Sequence, residues 1–161
     1  MRRDKINYYL DIAETVSERS TCLRRSFGAI LVKNDEIIST GYNGAPRGRK
    51  NCSDIGGCLR EKLGVPRGQR YELCRSVHAE ANAIISAPRS EMIGSTLYLV
   101  GLEYKDGSYV ANANPCAMCK RLIINAGIEK VVVRDTKTTY RIIDVYESWV
   151  NQDASMEQMG Y

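Results

Sequence analysis

The chain has 161 residues, 43% hydrophobic and 26% charged, which is typical of one globular domain and excludes a wholly disordered chain. No apolar run is long enough to span a membrane, and the basic start leads into polar residues rather than a secretory signal. The formal net charge is +4, and a single histidine excludes metal sites that need two. We therefore expect a cytoplasmic protein whose six reduced cysteines serve metal binding or catalysis.

A helix and a hairpin are predicted first. Apolar side chains recur at three- and four-residue spacing within residues 4–19, the pattern of an amphipathic helix. Residues 27–33 and 36–42 are strand-like runs on either side of a turn at Asn34 and Asp35. These patterns predict an opening helix followed by a β-hairpin.

A long basic loop follows at residues 43–75. It is rich in glycine and proline, which predicts irregular structure with one short helix around residues 59–63. Residues 45–75 hold eight basic and three acidic side chains. A loop of this length is often functional, although a solvated surface loop would show the same charge.

The second half alternates helices with strands. Helices are predicted at residues 78–87, 115–126 and 146–151, and strands at residues 96–101, 128–134 and 141–145. This alternation predicts an α/β layered domain over residues 1–150. Residues 151–161 are polar and are predicted to form a loose tail.

Two short motifs carry the chemistry. One is His78-Ala79-Glu80, and the other is Pro115-Cys116-Ala117-Met118-Cys119; each opens a predicted helix. A helix N-terminus stabilises thiolates, the metal-binding form of cysteine. One imidazole and two thiolates form a three-ligand zinc site with an open position for water. His78, Cys116 and Cys119 are therefore the predicted ligands of a catalytic zinc.

Glu80 is the predicted catalytic acid and base. It lies two residues from His78, near the metal but free to transfer protons between water and substrate. A Cys-x-x-Cys pair alone could also be redox-active or structural, and a lone histidine is more often a core residue. The combination of H-x-E with P-C-x-x-C is the signature of zinc-dependent nucleobase deaminases.

The chain resembles the cytidine deaminase-like superfamily and, within it, the deoxycytidylate (dCMP) deaminases. The resemblance covers residues 4–134 and is carried by residues 22–29, 41–48, 78–84 and 115–127, with Arg89 after the histidine motif. It implies a three-layer α/β/α fold with a mixed five-stranded sheet. It also implies zinc-dependent hydrolysis of dCMP to dUMP and ammonia, a step in pyrimidine nucleotide metabolism.

The resemblance further implies roles for particular residues. Asn43 would contact the sugar or base, Ala79 would face the pyrimidine through its backbone, and Arg89 would contact the phosphate or another subunit. In some relatives dCTP activates and dTTP inhibits through a magnesium-bearing nucleotide site. Here that site would comprise Gly41, Tyr42, Asn43 and Gly44. Relatives also suggest a homo-oligomer, from dimer to hexamer.

Four cysteines fall outside the two motifs: Cys22, Cys52, Cys58 and Cys74. They could be separate buried thiols, which behave as small apolar residues. They could instead bind a second, structural zinc that tethers the basic loop. Some dCMP deaminases carry such a zinc, and Cys22 and Cys52 match two of its positions, whereas the other ligands in those relatives are not cysteines.

Other functions remain open on the sequence alone. The basic loop could serve a deaminase of single-stranded DNA or tRNA, although few aromatic residues accompany it. Free cytidine or deoxycytidine is a third substrate, and a nonenzymatic zinc module would be expected to lack Glu80.

Overall fold

The computed structural model describes residues 1–152. Five strands are present: β1 (Arg25–Lys33), β2 (Glu36–Tyr42), β3 (Thr96–Glu103), β4 (Lys130–Arg134) and β5 (Tyr140–Asp144). The helices are α1 (Lys5–Ser17), α2 (Leu59–Lys62), α3 (Ala79–Ile85), α4 (Arg89–Met92) and α5 (Ala117–Ala126). A 3₁₀ turn at Tyr71–Leu73 and a π-helical segment at Tyr146–Asn151 complete the secondary structure.

The five strands form one mixed sheet in the order β2-β1-β3-β4-β5. Only β3 and β4 are parallel; the other three neighbouring pairs are antiparallel. The hairpin turns at Asn34 and Asp35, both with positive φ, as a tight two-residue turn requires. Helix α5 lies between β3 and β4 in sequence, so it forms the crossover that a parallel pair needs.

Helices cover both faces of the sheet. Alternate residues of β1 point to opposite faces, so Ala29 and Leu31 join a core with α3 and α5, while Ile30 joins one with α1. The predicted three-layer α/β/α fold with a mixed five-stranded sheet is therefore confirmed.

Arg134 anchors α1 to the sheet through a buried charge. Its side chain is fully buried and donates hydrogen bonds to Asp11 at 2.9 Å and Glu14 at 3.4 Å. It also donates to the side-chain oxygen of Asn7 at 3.0 Å. The first helix is thus joined by polar contacts to β4, far from it in sequence.

The predicted elements differ from the observed ones mainly at their ends. The helix expected at residues 78–87 is Ala79–Ile85, and the one expected at 115–126 is Ala117–Ala126. The short α4 was not predicted, whereas the short helix within the basic loop is present as α2. The predicted tail 151–161 lies outside the described residues except for Asn151 and Gln152. Among residues 1–152, no helix has the length and apolarity that a bilayer crossing requires.

Candidate active site

The site is built on the amino ends of two neighbouring helices. His78 is the N-cap of α3 and Cys116 is the N-cap of α5. Gly41 of β2 allows α3 to pack directly against the strand, because a Cβ at this position would collide with the backbone of Ala79 and Ala83. Close helix–strand packing therefore fixes the position of His78.

Three potential metal ligands converge there. Nδ1 of His78 lies 3.5 Å from Sγ of Cys116 and 3.5 Å from Sγ of Cys119. The three ligand atoms lie within 4.8 Å of one another, and all three residues are buried. Because Zn–N and Zn–S bonds are about 2.0 and about 2.3 Å, a tetrahedral zinc separates its N and S ligands by roughly 3.5 Å. The residues present therefore fit a zinc ion.

Of the two thiols, Cys116 has the electrostatics that favour the metal-binding form, whereas hydrogen bonding to Cys116 and burial raise the pKa of the Cys119 thiol. Hydrogen bonding to Cys119 and to His78 lowers the pKa of the Cys116 thiol, against the opposing effect of burial. A lowered pKa favours the thiolate, which is the form that binds metal.

Glu80 is enclosed beside this cluster. Its side chain is fully buried, and neither carboxylate oxygen has a hydrogen-bond partner among the described residues. Burial raises the pKa of the Glu80 carboxyl to about 7, although the nearby His78 opposes the shift. A buried carboxyl without a partner is costly in a purely structural role. This arrangement is the one expected for a group that exchanges protons with a ligand.

A cavity opens beside His78. Its walls come from the start of β1, the end of β2, α2 and the segment before α3. Tyr71 contacts the His78 imidazole edge-on, with ring centres 4.7 Å apart. Basic side chains line the cavity as well: Arg24, Arg25, Arg60 and Arg75. A pocket with this lining suits a small anionic ligand.

The three candidate substrate contacts are placed differently. Asn43 lines the cavity, where its Oδ1 accepts a hydrogen bond from the Phe27 amide at 2.8 Å and its Nδ2 donates to the Arg25 carbonyl at 2.9 Å. Ala79 is fully buried at the start of α3. Arg89 is not brought to the cluster: it donates to the Asn125 carbonyl near the carboxyl end of α5, whereas Cys116 caps the amino end.

The four remaining cysteines all line the cavity beside His78: Cys22, Cys52, Cys58 and Cys74. All four are free thiols. They are not drawn together as tightly as the first cluster, which alone among residues 1–152 has three ligand atoms within 4.8 Å of one another. A second zinc therefore stays a prediction.

The predicted nucleotide-binding stretch lines a separate groove. Gly41, Tyr42 and Gly44 face residues of α3 across this groove, with Arg47 of the basic loop at its edge. Asn82 of α3 donates a hydrogen bond to the Tyr42 carbonyl at 2.8 Å, which holds helix and strand together. Asn43 differs from its neighbours because it lines the cavity beside His78.

The sequence did not single out Arg60 or Tyr71. Both lie in the basic loop, where Arg60 is one of eight basic residues with no pattern to distinguish it. Their position in the cavity wall depends on how the loop folds back over the amino end of α3. No local sequence motif indicates that Arg60 and Tyr71 lie in the cavity wall.

The fold and the cluster define a class of zinc-binding hydrolytic enzymes. Comparison with known proteins shows to which family of this class the chain belongs. A family profile described as the cytidine and deoxycytidylate deaminase zinc-binding region matches residues 3–135. The deoxycytidylate deaminase of Mycobacterium phage D29 is 40% identical over 136 residues, covering 81% of this chain and 94% of that protein. The chain therefore belongs to the cytidine and deoxycytidylate deaminase family, and the resemblance inferred from its motifs is confirmed.

Two further relatives agree with this assignment. The deoxycytidylate deaminase of Schizosaccharomyces pombe is 35% identical over 155 residues, which is 96% of this chain but 43% of that protein. This chain thus spans less than half the length of the yeast relative. The crystal structure of dCMP deaminase from the cyanophage S-TIM5 in complex with dCMP and dUMP matches with a TM-score of 0.57 and 30% identity, covering 83% of each chain.

Proposed function

We propose that this chain hydrolyses dCMP to dUMP and ammonia with a zinc ion at its active site. The observation that carries the proposal is the convergence of His78, Cys116 and Cys119 beside the buried, unpartnered Glu80. Support for the substrate comes from the phage and yeast relatives, which are deoxycytidylate deaminases. It comes also from the cyanophage enzyme, whose structure contains dCMP and dUMP.

The mechanism assigns separate tasks to the ligands and to Glu80. His78, Cys116 and Cys119 would hold the zinc through one nitrogen and two sulfurs. When bound, zinc supplies Lewis-acid activation, which lowers the pKa of water to ~7 and makes it nucleophilic at neutral pH. Water oxygen adds to C4 of the cytosine ring, and the C4–N4 bond breaks as ammonia leaves.

Glu80 transfers the protons in this reaction. Its oxygens make no competing hydrogen bond within the described chain, so they can accept the proton of the attacking water. The same carboxyl then donates a proton to N3 of the base and passes the next one to the leaving amino group. Because burial favours the neutral form, Glu80 can hold a proton between these transfers.

The substrate contacts remain part of the proposal. Asn43 is the candidate sugar or base contact because it lines the cavity at His78, and the backbone of Ala79 is the candidate for facing the pyrimidine. For Arg89 we favour the subunit contact over the phosphate contact. Its Nε donates a hydrogen bond to the Asn125 carbonyl, near the end of α5 opposite to Cys116.

The substrate is tested by measuring ammonia release from dCMP, deoxycytidine, cytidine and single-stranded oligonucleotides side by side. We expect dCMP to give stoichiometric dUMP with the highest kcat/KM. Equal turnover of dCMP and deoxycytidine would defeat the nucleotide assignment. A preference for oligonucleotides with steep salt dependence would favour the polynucleotide deaminase instead. No turnover of any of them would favour a nonenzymatic zinc module.

The ligand assignment is tested by Cys119→Ser. Neutral oxygen is a poor substitute for thiolate on zinc, so this variant should lose both the catalytic zinc and dCMP turnover. Met118→Ser is the matched control, because Met118 lies beside Cys119 on α5 with its side chain partly exposed. If Cys119→Ser kept its zinc and its activity, the proposed ligand set would be wrong.

We also propose that Cys22, Cys52, Cys58 and Cys74 bind a second, structural zinc. Support comes from their position around one cavity and from their proximity, since the other three thiols lie close enough to add to the effect of burial on the pKa of Cys52. Metal analysis should then give two zinc ions per chain, and Cys58→Ala should give one. Ser53→Ala, at an exposed position in the same loop, should keep both. A single zinc in fully active wild-type protein would remove this proposal.

Regulation and assembly complete the proposal. The groove lined by Gly41, Tyr42 and Gly44 is the candidate site for dCTP as activator and dTTP as inhibitor, with Mg²⁺.

A homo-oligomer is proposed, and the cytoplasm is its proposed location because six free thiols need a reducing compartment. Rates of dCMP turnover with each nucleotide, alongside sedimentation analysis, test these points. Unchanged rates at saturating dCTP and dTTP would exclude the regulation.

A further inference from the structure

Arg60 of α2 has an unusual environment for an arginine in a basic loop. The residue is only 6% exposed. Its Nε donates a hydrogen bond to the Gln69 carbonyl at 3.0 Å, and its guanidinium lies over the Tyr71 ring, 4.3 Å from the ring centre. These two contacts hold the guanidinium in one orientation, with its terminal nitrogens left for another partner.

Tyr71 connects this guanidinium to the metal cluster. The ring of Tyr71 is 4.7 Å from the imidazole of His78, so the guanidinium carbon of Arg60 lies no more than 9.0 Å from the imidazole centre. Arg60, Tyr71 and His78 all line the same cavity. This distance between guanidinium and imidazole is comparable with the separation of base and 5′-phosphate within one nucleotide.

The charge of Arg60 has no ion-pair partner within residues 1–152, although it interacts electrostatically with Glu72 and Cys74. Arg24 pairs with Glu61 at 3.0 Å, and Arg25 pairs with Glu103 at 3.3 Å. Arg60 has no carboxylate partner within residues 1–152, and no residue of that part of the chain accepts a hydrogen bond from its terminal nitrogens. A buried cation without an ion-pair partner is unfavourable, whereas an anion bound in the cavity would satisfy it.

Arg75 is a weaker candidate for the same task. It also lines the cavity and lacks a carboxylate partner in the described chain, but it donates to the Lys50 carbonyl and lines a second pocket on the outer side of the loop as well. Arg60 is the more buried of the two, and it alone is linked through Tyr71 to His78.

We infer that Arg60 binds the 5′-phosphate of the substrate and determines the preference for a nucleotide over a nucleoside. This inference rests on the proposed dCMP deamination. The planar guanidinium offers two terminal donors that match the oxygens of a phosphate. Tyr71 is a positioning residue, since its ring supports the guanidinium from one side and contacts His78 from the other. The basic loop therefore carries the guanidinium that recognises the phosphate.

The test compares Arg60→Met with Lys62→Met. Methionine keeps most of the length of the side chain over Tyr71 but removes the charge and its donors. Lys62 lies on the same helix with an exposed side chain, so Lys62→Met removes one positive charge away from the cavity. Binding of dUMP and of deoxyuridine is measured by calorimetry for each protein, together with kcat/KM for dCMP and the zinc content.

Arg60→Met should bind dUMP about a hundredfold more weakly, the loss expected for two charge-assisted hydrogen bonds. Its affinity for deoxyuridine and its zinc content should match the wild type, and Lys62→Met should match the wild type in all measurements. An Arg60→Met protein that keeps the wild-type ratio of dUMP to deoxyuridine affinity would overturn the inference. So would an equal loss of both ligands, which would indicate a structural role.

A second variant covers the case in which Arg60→Met does not fold. Arg60→Gln keeps a donor for the Gln69 carbonyl while it removes the charge, and it should show the same selective loss of dUMP binding. Wild-type selectivity in Arg60→Gln would contradict the inference. If the wild-type enzyme itself failed to deaminate dCMP, the proposed function would fail, which is a separate result.

Discussion

At the scale of single residues, Glu80 is the group to which we assign the proton transfers. It is fully enclosed, and its carboxylate oxygens make no hydrogen bond within the described chain. Because burial raises its pKa to about 7, the carboxyl is able both to accept and to donate a proton near neutral pH. A substitution that preserves shape but removes the titratable group isolates this role.

Glu80→Gln should keep the fold and the zinc but lose dCMP turnover. General acid–base catalysis contributes about 10²–10⁴-fold, and one residue here serves more than one transfer, so the loss in kcat should reach the upper end of that range or exceed it. Glu91→Gln, at an exposed position of α4, is the control. Activity of Glu80→Gln within about tenfold of wild type would show that another group moves the protons.

The sequence could indicate the candidate catalytic residues because their spacing along the chain is local. His78 and Glu80 lie two residues apart, and Cys116 and Cys119 three apart, so helix geometry alone puts each pair on one helix end. The meeting of the two pairs needed the resemblance to a known family. Arg60 could not be predicted, because its burial depends on Tyr71 and Gln69 folding over it.

At the scale of secondary structure, the site depends on the contact between α3 and β2. Gly41 allows this contact, and Asn82 of α3 donates a hydrogen bond to the Tyr42 carbonyl at 2.8 Å. Strand β2 thereby fixes the position of α3 relative to the sheet, and with it the positions of His78 and Glu80. A displacement of α3 would separate His78 from the cysteines of α5.

Gly41→Ala should therefore impair the metal site although residue 41 is not one of the predicted metal ligands. The added Cβ would collide with the backbone of Ala79 and Ala83, and overpacking of this kind costs about 1–3 kcal/mol. We expect a lower thermal midpoint and reduced zinc occupancy. Thr40→Ala, on the exposed side of the same strand, should change neither. Wild-type zinc content and stability in Gly41→Ala would show that α3 adjusts freely.

Helices and strands with a long hydrophobic periodicity were predicted more accurately than short ones. Helix α1 and the β1–β2 hairpin extend over several repeats of their patterns and were placed within two residues. Helix α4 was missed because Arg89–Met92 is a single turn, too short for any repeat, directly after Pro88. His78 and Cys116 were expected inside their helices and are N-caps instead, a distinction that needs backbone angles.

At the scale of the whole molecule, Arg134 joins two elements that are far apart in sequence. It connects β4 to α1 through Asp11, Glu14 and Asn7, and its side chain is fully buried. Nothing in the sequence indicated this network, because Arg134 is more than 100 residues from each of its partners. The cluster at His78 lies on the opposite face of the sheet, packed with α3 and α5.

Arg134→Met should lower the free energy of unfolding by about 3 kcal/mol. This is the lower end of the range for breaking a buried ion pair, because Asp11 and Glu14 remain partly hydrated. Arg3→Met removes a more exposed partner of the same Asp11 and should have little effect. Urea unfolding of both variants measures the difference. If Arg134→Met were as stable as Arg3→Met, the network would not hold α1 to the sheet.

The proposed deamination of dCMP requires the zinc held by His78, Cys116 and Cys119. The most direct measurement follows zinc content and dUMP formation together while the metal is removed with a chelator and then restored. We predict that activity falls to zero as the catalytic zinc is lost and returns when one zinc ion per chain is restored to this site. Full conversion of dCMP to dUMP by metal-free protein, or no conversion by zinc-loaded, folded protein, would contradict the account.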